Sequence, residues 1–374
     1  MGAGAFDPGA VLAALTGYPP LGGADLRVAV VGGFVRDVWL GREPRELDLV
    51  VEGDAAALAR TLGGEVTVHE PFGTAIVTGA GWRVDLAMAR RERYPAPGAL
   101  PEVEPASIEE DLRRRDFTVN AIAVTLAGGE RLAADNALED LANSRLRVLH
   151  ERSFIDDPTR LLRLARYAER LRFDVEPLTA ALAGDASFHT LSGARLGGEL
   201  RLVLAEADPV AVLARVADRL PIAIDRALVE TALALAPPQS DRAMLVLGAL
   251  TREESWLDGL ELSAHERDIV LACAGASVPA DTAPSELWRA WRGVPIEAVA
   301  VAGARGDREA ARRWIEELRH VRLEIGGDDL IAAGLREGPE LGRRLALTLA
   351  AKLDGELAGG REAELAFALE GGET

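Results

Sequence analysis

The chain holds 374 residues, more than one compact domain usually takes, and its 48% hydrophobic and 27% charged content excludes wholesale disorder. A net charge of −18 argues against indiscriminate nucleic-acid binding, and one cysteine, Cys273, excludes a disulfide framework or a zinc–thiolate cluster. Only one of the 42 basic residues is a lysine, Lys352, which removes the lysine-bearing phosphate loop, the kinase lysine and a Schiff base from consideration.

In chain order, Arg27–Val31 (RVAVV) reads as a strand ending in Gly32-Gly33, followed by a short helix through Val35, Val38, Trp39 and Leu40 that stops at Gly41. Leu47–Val51 is the next strand. Asp54 caps a helix over Ala55–Leu62, which ends at Gly63-Gly64. Val66–His69, Thr74–Thr78 and Trp82–Met88 are three further strands. Arg90–Ala106 is polar, carries Pro95, Pro97, Pro101 and Pro105, and reads as a movable loop with Gly98 as its hinge. Ser107 with Glu110 forms a capping box that opens a short helix. From Ser153 onward helices dominate. Pro158 takes the first helical position after Asp157 as cap, and Ala180–Leu182, Leu200–Leu204, Val210–Leu220, Ala227–Leu235, Arg242–Leu250 and Leu345–Leu353 have helical spacing. The loops Ala236–Ser240 and Ala276–Pro284 are candidate boundaries. No apolar run reaches the length of a membrane span and Met1–Pro8 lacks the regions of a signal peptide, so the expectation is a cytoplasmic protein with no membrane association. Cys273, in LACAGA, reads as a small core residue.

Five constellations carry chemistry. Gly32 and Gly33, between strand and helix, let backbone amides approach a phosphate, and Arg36 one turn on reaches the same anion. Such a turn alone is more often only a tight turn. Glu46 and Asp48 fall on one strand face at the start of an apolar strand, where two carboxylates repel unless a cation such as magnesium joins them. Asp85 is an acid within an apolar strand and needs a partner, which a site shared with Glu46 and Asp48 supplies. Together these acids suit two-metal phosphoryl or nucleotidyl transfer. In Asp111–Asn120 (DLRRRDFTVN) three arginines precede Asp116, and at least one of Arg115 and Asp116 is expected to turn inward and pair. After Asp156-Asp157, with Arg160 at 0° on a helical wheel, Arg163, Arg166 and Arg170 fall at about 300°, 240° and 280°, opposite the apolar Leu161, Leu164, Ala165, Ala168 and Leu171. A surface helix with ordinary salt bridges is the plain alternative. The four-arginine row beside two aspartates favours a polyphosphate or RNA contact. Residues 111–172 are also the one stretch of positive balance, with 12 basic and 10 acidic groups.

GGFVRD, ELDLVV, VDLAMARRE, DLRRRDFTVNAIA and SFIDDPTRLLRLARYAERLRF, in this order, resemble the class II tRNA nucleotidyltransferase and bacterial poly(A) polymerase family, with a looser match at Arg195 and Glu199. The resemblance covers about residues 27–205. It implies an α/β nucleotidyltransferase head with a polymerase-β-like mixed sheet over 1–150, a helical neck over 151–220, and an all-α body and tail over 221–374. It implies Mg2+, CTP and ATP, and the 3′ end of tRNA as partners, with C and A added without a template. Carried over by position, Glu46, Asp48 and Asp85 resemble the catalytic acids, with Glu46 and Asp48 as metal ligands. Gly32, Gly33 and Arg36 resemble the triphosphate site, Arg115 a nucleotide-binding arginine, Asp157 and Arg160 the base-reading pair, and Arg163 and Arg166 further nucleotide contacts. Relatives that add only A, only CC or poly(A) tails share these motifs. Glu46 stands where the family usually has Asp, which leaves a non-catalytic RNA-binding homologue as the reading from another class. The five histidines are followed by Glu, Glu, Thr, Glu and Val, so no His-Asp phosphohydrolase motif is present.

Overall fold

The computed structural model describes residues 7–21, 26–44, 46–357 and 360–370. Most of Met1–Pro8, the stretch read for a signal peptide, lies outside the described residues. The chain divides into two compact units, Met1–Arg219 and Leu220–Thr374. Both loops offered above as boundaries fall within the second unit.

The first unit is built on a mixed seven-stranded sheet. Its strands are β1 (Arg27–Val31), β2 (Leu47–Glu52), β3 (Glu65–His69), β4 (Thr74–Gly79), β5 (Trp82–Met88), β8 (Ile122–Thr125) and β9 (Arg131–Ala133), in the order β3-β4-β5-β2-β1-β8-β9. β6 (Arg90–Arg93) and β7 (Glu102–Pro105) lie between them in sequence and form a separate pair. β2 and β5 run parallel, and the other pairs of the large sheet run antiparallel. The central strands are apolar on both faces because both are covered. Val28, Val30, Leu47, Leu49, Val51, Val84 and Leu86 pack on one side. Ala29, Val31 and Val50 pack on the other against Ile108 and Leu112 of the helix Ile108–Arg113. Side-chain alternation thus sends Asp48 to the second face, between two residues that point into the first.

Arg90–Ala106 is not a loop. β6 and β7 pair antiparallel, with Arg91 opposite Glu104 and Arg93 opposite Glu102. Cross-strand ion pairs at both positions hold polar strands that carry no apolar alternation. The prolines sit in the connection or, as Pro105, at the strand's last residue, where no ladder donor is lost. The Asp54 cap and the Ser107–Glu110 capping box fall where expected: Asp54 Oδ1 accepts from Ala57 N at 2.9 Å, and Ser107 and Glu110 cap reciprocally. Further on, the helix Thr159–Leu171 opens one residue later than expected, although Pro158 already has helical dihedrals. A two-residue strand at Asp174–Val175 pairs with Arg145–Leu146 within a stretch that helices otherwise dominate, as expected. The helices Pro177–Asp185, Gly193–Leu204 and Pro209–Ala214 complete this unit.

The second unit is helical, from Arg226–Leu235 through Arg361–Glu370. Gly248 permits a close helix approach, since a Cβ there would lie 2.5 Å from Cys273 Cβ. Cys273 is fully buried, and burial pushes its thiol far above the ordinary range, which fits an inert core residue. No helix among the described residues is long and apolar enough to cross a membrane.

Candidate functional site

One cavity of about 820 Å³ opens in the first unit. Gly32, Gly33, Arg36, Glu46, Asp48, Arg115, Asp157, Arg160, Arg163 and Arg166 all line it. Asp85 does not.

The cradle begins where β1 ends. Gly32 has φ +74°, and a Cβ there would lie 3.2 Å from Arg115 Nη1 and 3.8 Å from Asp48 Oδ2. Any side chain would be strained by the backbone and would intrude between a cation and an acid. The helix Gly33–Trp39 starts at this point, and its Arg36 turns back into the cavity, 3% exposed. Arg36 donates to Asp37 Oδ1 at 2.8 Å and Asn120 Oδ1 at 2.5 Å.

Asp48 and Asp85 are direct partners in the parallel β2–β5 register. Burial pushes the Asp48 carboxyl up to about 6; Arg115 and Arg163 pull it down, while Asp85 and Glu46 push it further up. Neither Asp48 nor Glu46 makes a hydrogen bond or ion pair among the described residues. Two hard-oxygen donors that no direct ion pair engages fit a divalent cation. Asp85 was expected to be a buried acid whose partner is a metal site shared with Glu46 and Asp48, and the structure gives it a different partner. Asp85 is about one-third exposed and is held by Arg83 through Nε at 2.8 Å and Nη2 at 3.0 Å. Among the described residues no group of three His, Cys, Asp or Glu is arranged to hold a metal. The donor set that fits a cation here is therefore Glu46 with Asp48.

Of the three consecutive arginines, Arg114 and Arg115 turn inward and share Asp111, which is fully buried. Asp116 turns inward as well. It accepts from Phe117 N at 2.7 Å and Asn120 Nδ2 at 3.0 Å, and pairs with Arg163 at 2.7 Å. Burial opposes the charge of Asp116, but Arg163, Asn120 and Arg160 hold it down at about 2.

The helix Thr159–Leu171 presents its arginine row to the cavity. These side chains are not a solvated face: Arg160 and Arg166 are buried, and acids from neighbouring elements hold the row. Arg166 pairs with Glu199 at 3.2 Å and Glu206 at 3.1 Å, and Arg170 also pairs with Glu206. Arg160 donates to Ser153 Oγ at 2.6 Å and to the Arg114 carbonyl at 2.8 Å, which fixes it beside Asp157. Asp157 Oδ1 accepts from Thr159 N at 3.1 Å and Thr159 Oγ1 at 2.6 Å, and from Arg195 Nη2 at 2.7 Å. Only this oxygen of Asp157 is engaged among the described residues.

Sequence reasoning passed over Arg90, Glu92 and Tyr94, which line the same cavity from β6 and the residue after it. Their spacing of two in a charged stretch was the available signal. Tyr94 Oη donates to Glu92 at 3.0 Å, and Arg114 donates to the same carboxylate at 2.7 Å. Gly98 is no free hinge. Its N–H points to the carbonyls of Ile155 and Asp156, and its own carbonyl accepts from Arg195 at 2.8 Å. A Cβ at Gly98 would lie 2.4 Å from the Thr190 carbonyl oxygen.

Residues 28–147 match the poly(A) polymerase head domain. The chain is 32% identical over 394 aligned positions to the A-adding tRNA nucleotidyltransferase of Geobacter sulfurreducens, covering 89% of this chain and 44% of that protein. It is 43% identical over 195 positions to the CC-adding tRNA nucleotidyltransferase of Deinococcus radiodurans, covering 50% and 52%. The chain thus spans about half the length of these relatives. A solved CCA-adding enzyme in an apo form shares the fold with a TM-score of 0.79 and 30% identity, over 92% of each chain.

Proposed function

The chain belongs to the tRNA nucleotidyltransferase family, and we propose that it adds C and A to the 3′ end of tRNA from CTP and ATP, without a nucleic-acid template, to complete CCA. The observation that carries this reading is the gathering of a glycine cradle, an unpaired acid pair and an Asp–Arg pair in one cavity. Arg36, Arg115 and Arg163 supply positive charge for a triphosphate. Glu46 and Asp48 would hold a divalent cation, assigned as Mg2+ from its hard carboxylate donors. When bound, such an ion neutralises phosphate charge and favours the ionised hydroxyl nucleophile. Asp85, through its register beside Asp48, adds negative potential at that end of the strand pair.

Asp157 and Arg160 are assigned to base choice. Cytosine and adenine each place an amino donor beside a ring-nitrogen acceptor. Asp157 Oδ2 remains to accept the first, and the Arg160 guanidinium, with five N–H donors and two of its nitrogens committed, retains donors for the second. Uracil and guanine present the opposite order and leave like groups facing. The tRNA partner rests on the likeness to A-adding and CC-adding tRNA nucleotidyltransferases.

A second reading, addition of the terminal A alone, is favoured by one observation. A pocket that changes from C to A must shift its base-reading pair, and Gly98 and Arg195 pin the β6–β7 connection to the chain around Asp157. Adding one nucleotide needs no such shift. Labelled CTP or ATP offered singly to tRNA transcripts ending before CCA and after CC tests the proposal. CTP label on the first and ATP label on the second support CCA completion. ATP label on the second alone selects the A-adding reading, and no label on either refutes nucleotide addition.

A further inference from the structure

Two cavity-lining guanidiniums share one aromatic ring. The Arg36 guanidinium carbon lies 5.4 Å from the Tyr167 ring centroid and that of Arg163 lies 5.7 Å from it. Two like charges gathered at one ring need fixed counter-groups. Asn120 supplies part of the frame by using both ends of its amide, accepting from Arg36 and donating to Asp116, which in turn holds Arg163. Tyr167 closes the ring of contacts. Its hydroxyl accepts from Arg163 Nη2 at 3.3 Å, and Phe117 meets it edge-on at 5.8 Å and 89°.

A carboxylate at position 167 would also hold both cations, but it would take up their N–H donors and cancel their charge. An aromatic ring attracts a guanidinium through its quadrupole, and its face adds no further acceptor to edges that already serve Asp37 and Asn120 for Arg36 and Asp116 for Arg163. We propose that Tyr167 is a positioning residue whose ring sets Arg36 and Arg163 as a two-guanidinium clamp for the triphosphate, not for the base. This rests on the nucleotide-binding reading of the cavity given above. Tyr167 follows Arg163 by one helical turn, so the clamp unites the helix Thr159–Leu171 with the helix Gly33–Trp39.

Isothermal titration calorimetry of the full chain with inorganic tripolyphosphate reads the clamp without chemistry. Tyr167→Met and Tyr167→Leu fill the space without a ring, and each is expected to weaken binding about tenfold. Tyr167→Phe keeps the ring and is expected to stay within about twofold of wild type. In nucleotide incorporation the two ring-less variants raise KM for CTP and ATP together, leaving their ratio and kcat little changed. Wild-type tripolyphosphate affinity in either folded ring-less variant overturns the proposal. So does a wild type that binds no tripolyphosphate, or equal weakening in Tyr167→Phe, which assigns the effect to the hydroxyl. A wild type that binds tripolyphosphate in a ring-dependent way but incorporates no nucleotide leaves the clamp standing and refutes the proposed function.

Discussion

Replacing Asp116 by Asn removes one charge from the frame behind the cavity while keeping its shape. Asp116 is 7% exposed and its carboxyl is held at about 2, below the ordinary 3.8. That lowering corresponds to roughly 2–3 kcal/mol of stability when the group is ionised in both states. Because the folded value lies below the unfolded one, the contribution is present above pH of about 4 and is lost as pH falls through about 2. At pH 3 about half of it should remain. A second route gives a similar figure. Breaking a buried ion pair costs about 3–5 kcal/mol. Arg163 is 32% exposed and retains Glu199 at 3.6 Å, so the loss here should fall below that range. Asn keeps an oxygen for Phe117 N and Asn120 Nδ2 and turns an amide toward Arg163. Urea unfolding of wild type and Asp116→Asn, read in the transition of the first unit, should show a gap of about 2–3 kcal/mol at pH 7 that shrinks to about 1 kcal/mol at pH 3. Other carboxylates titrate equally in both proteins and cancel in the difference. An equal gap at the two pH values, or one below about 0.5 kcal/mol at pH 7, would refute the charge pairing as its source.

Asp48→Ala should cut nucleotide incorporation at least about a hundredfold without lowering the melting midpoint, since it removes a carboxylate that burial already disfavours; turnover above a tenth of wild type contradicts the catalytic assignment. Glu46→Asp should keep or raise activity, and complete inactivation there would show that the longer side chain is required. Asp157→Asn should damage discrimination of CTP and ATP from UTP and GTP more than overall nucleotide affinity, whereas Arg163→Ala should weaken all four alike; matching profiles for the two variants in competition assays would undo the division of roles. Gly98→Ala places a side chain at φ +70° and against the Thr190 carbonyl, so the β6–β7 connection should undock. Limited proteolysis within residues 94–101 should then rise at least about tenfold, and an unchanged cleavage rate argues against the docking.

Much of the sheet was legible because its signals are local. RVAVV and LDLVV read as strands, and Asp54, Ser107 and Glu110 announce their caps within three residues. The cavity residues were legible because glycines, acid pairs and arginine rows at fixed spacing have few structural explanations. What was missed is non-local. β6 is Arg-Arg-Glu-Arg, whose strand character depends on pairing with β7 about ten residues away. β8, β9 and the helix Ala137–Ala142 fall in a stretch without strong periodicity, and partners distant in sequence fix them. Gly98 suggested mobility from its type alone; only the positions of Ile155, Asp156 and Arg195 show it pinned. Asp85 suggested a buried acid because its neighbours Val84 and Leu86 are apolar. Alternation puts it on the other face beside Arg83, two residues away, which the sequence could have shown. The plain reading of the arginine row as ordinary salt bridges was partly right, since acids do hold the row, but they hold it around a cavity.

The central claim is that this cavity adds nucleotides to the tRNA 3′ end. Purified full chain, Mg2+ and each labelled nucleoside triphosphate in turn, with tRNA transcripts ending before CCA, after C and after CC, test it most directly. The account predicts CTP incorporation on the first two transcripts, ATP incorporation on the third, none from UTP or GTP, and loss of all of it in Asp48→Ala. Absence of incorporation on every transcript by the wild type, or incorporation that persists in Asp48→Ala, would contradict it.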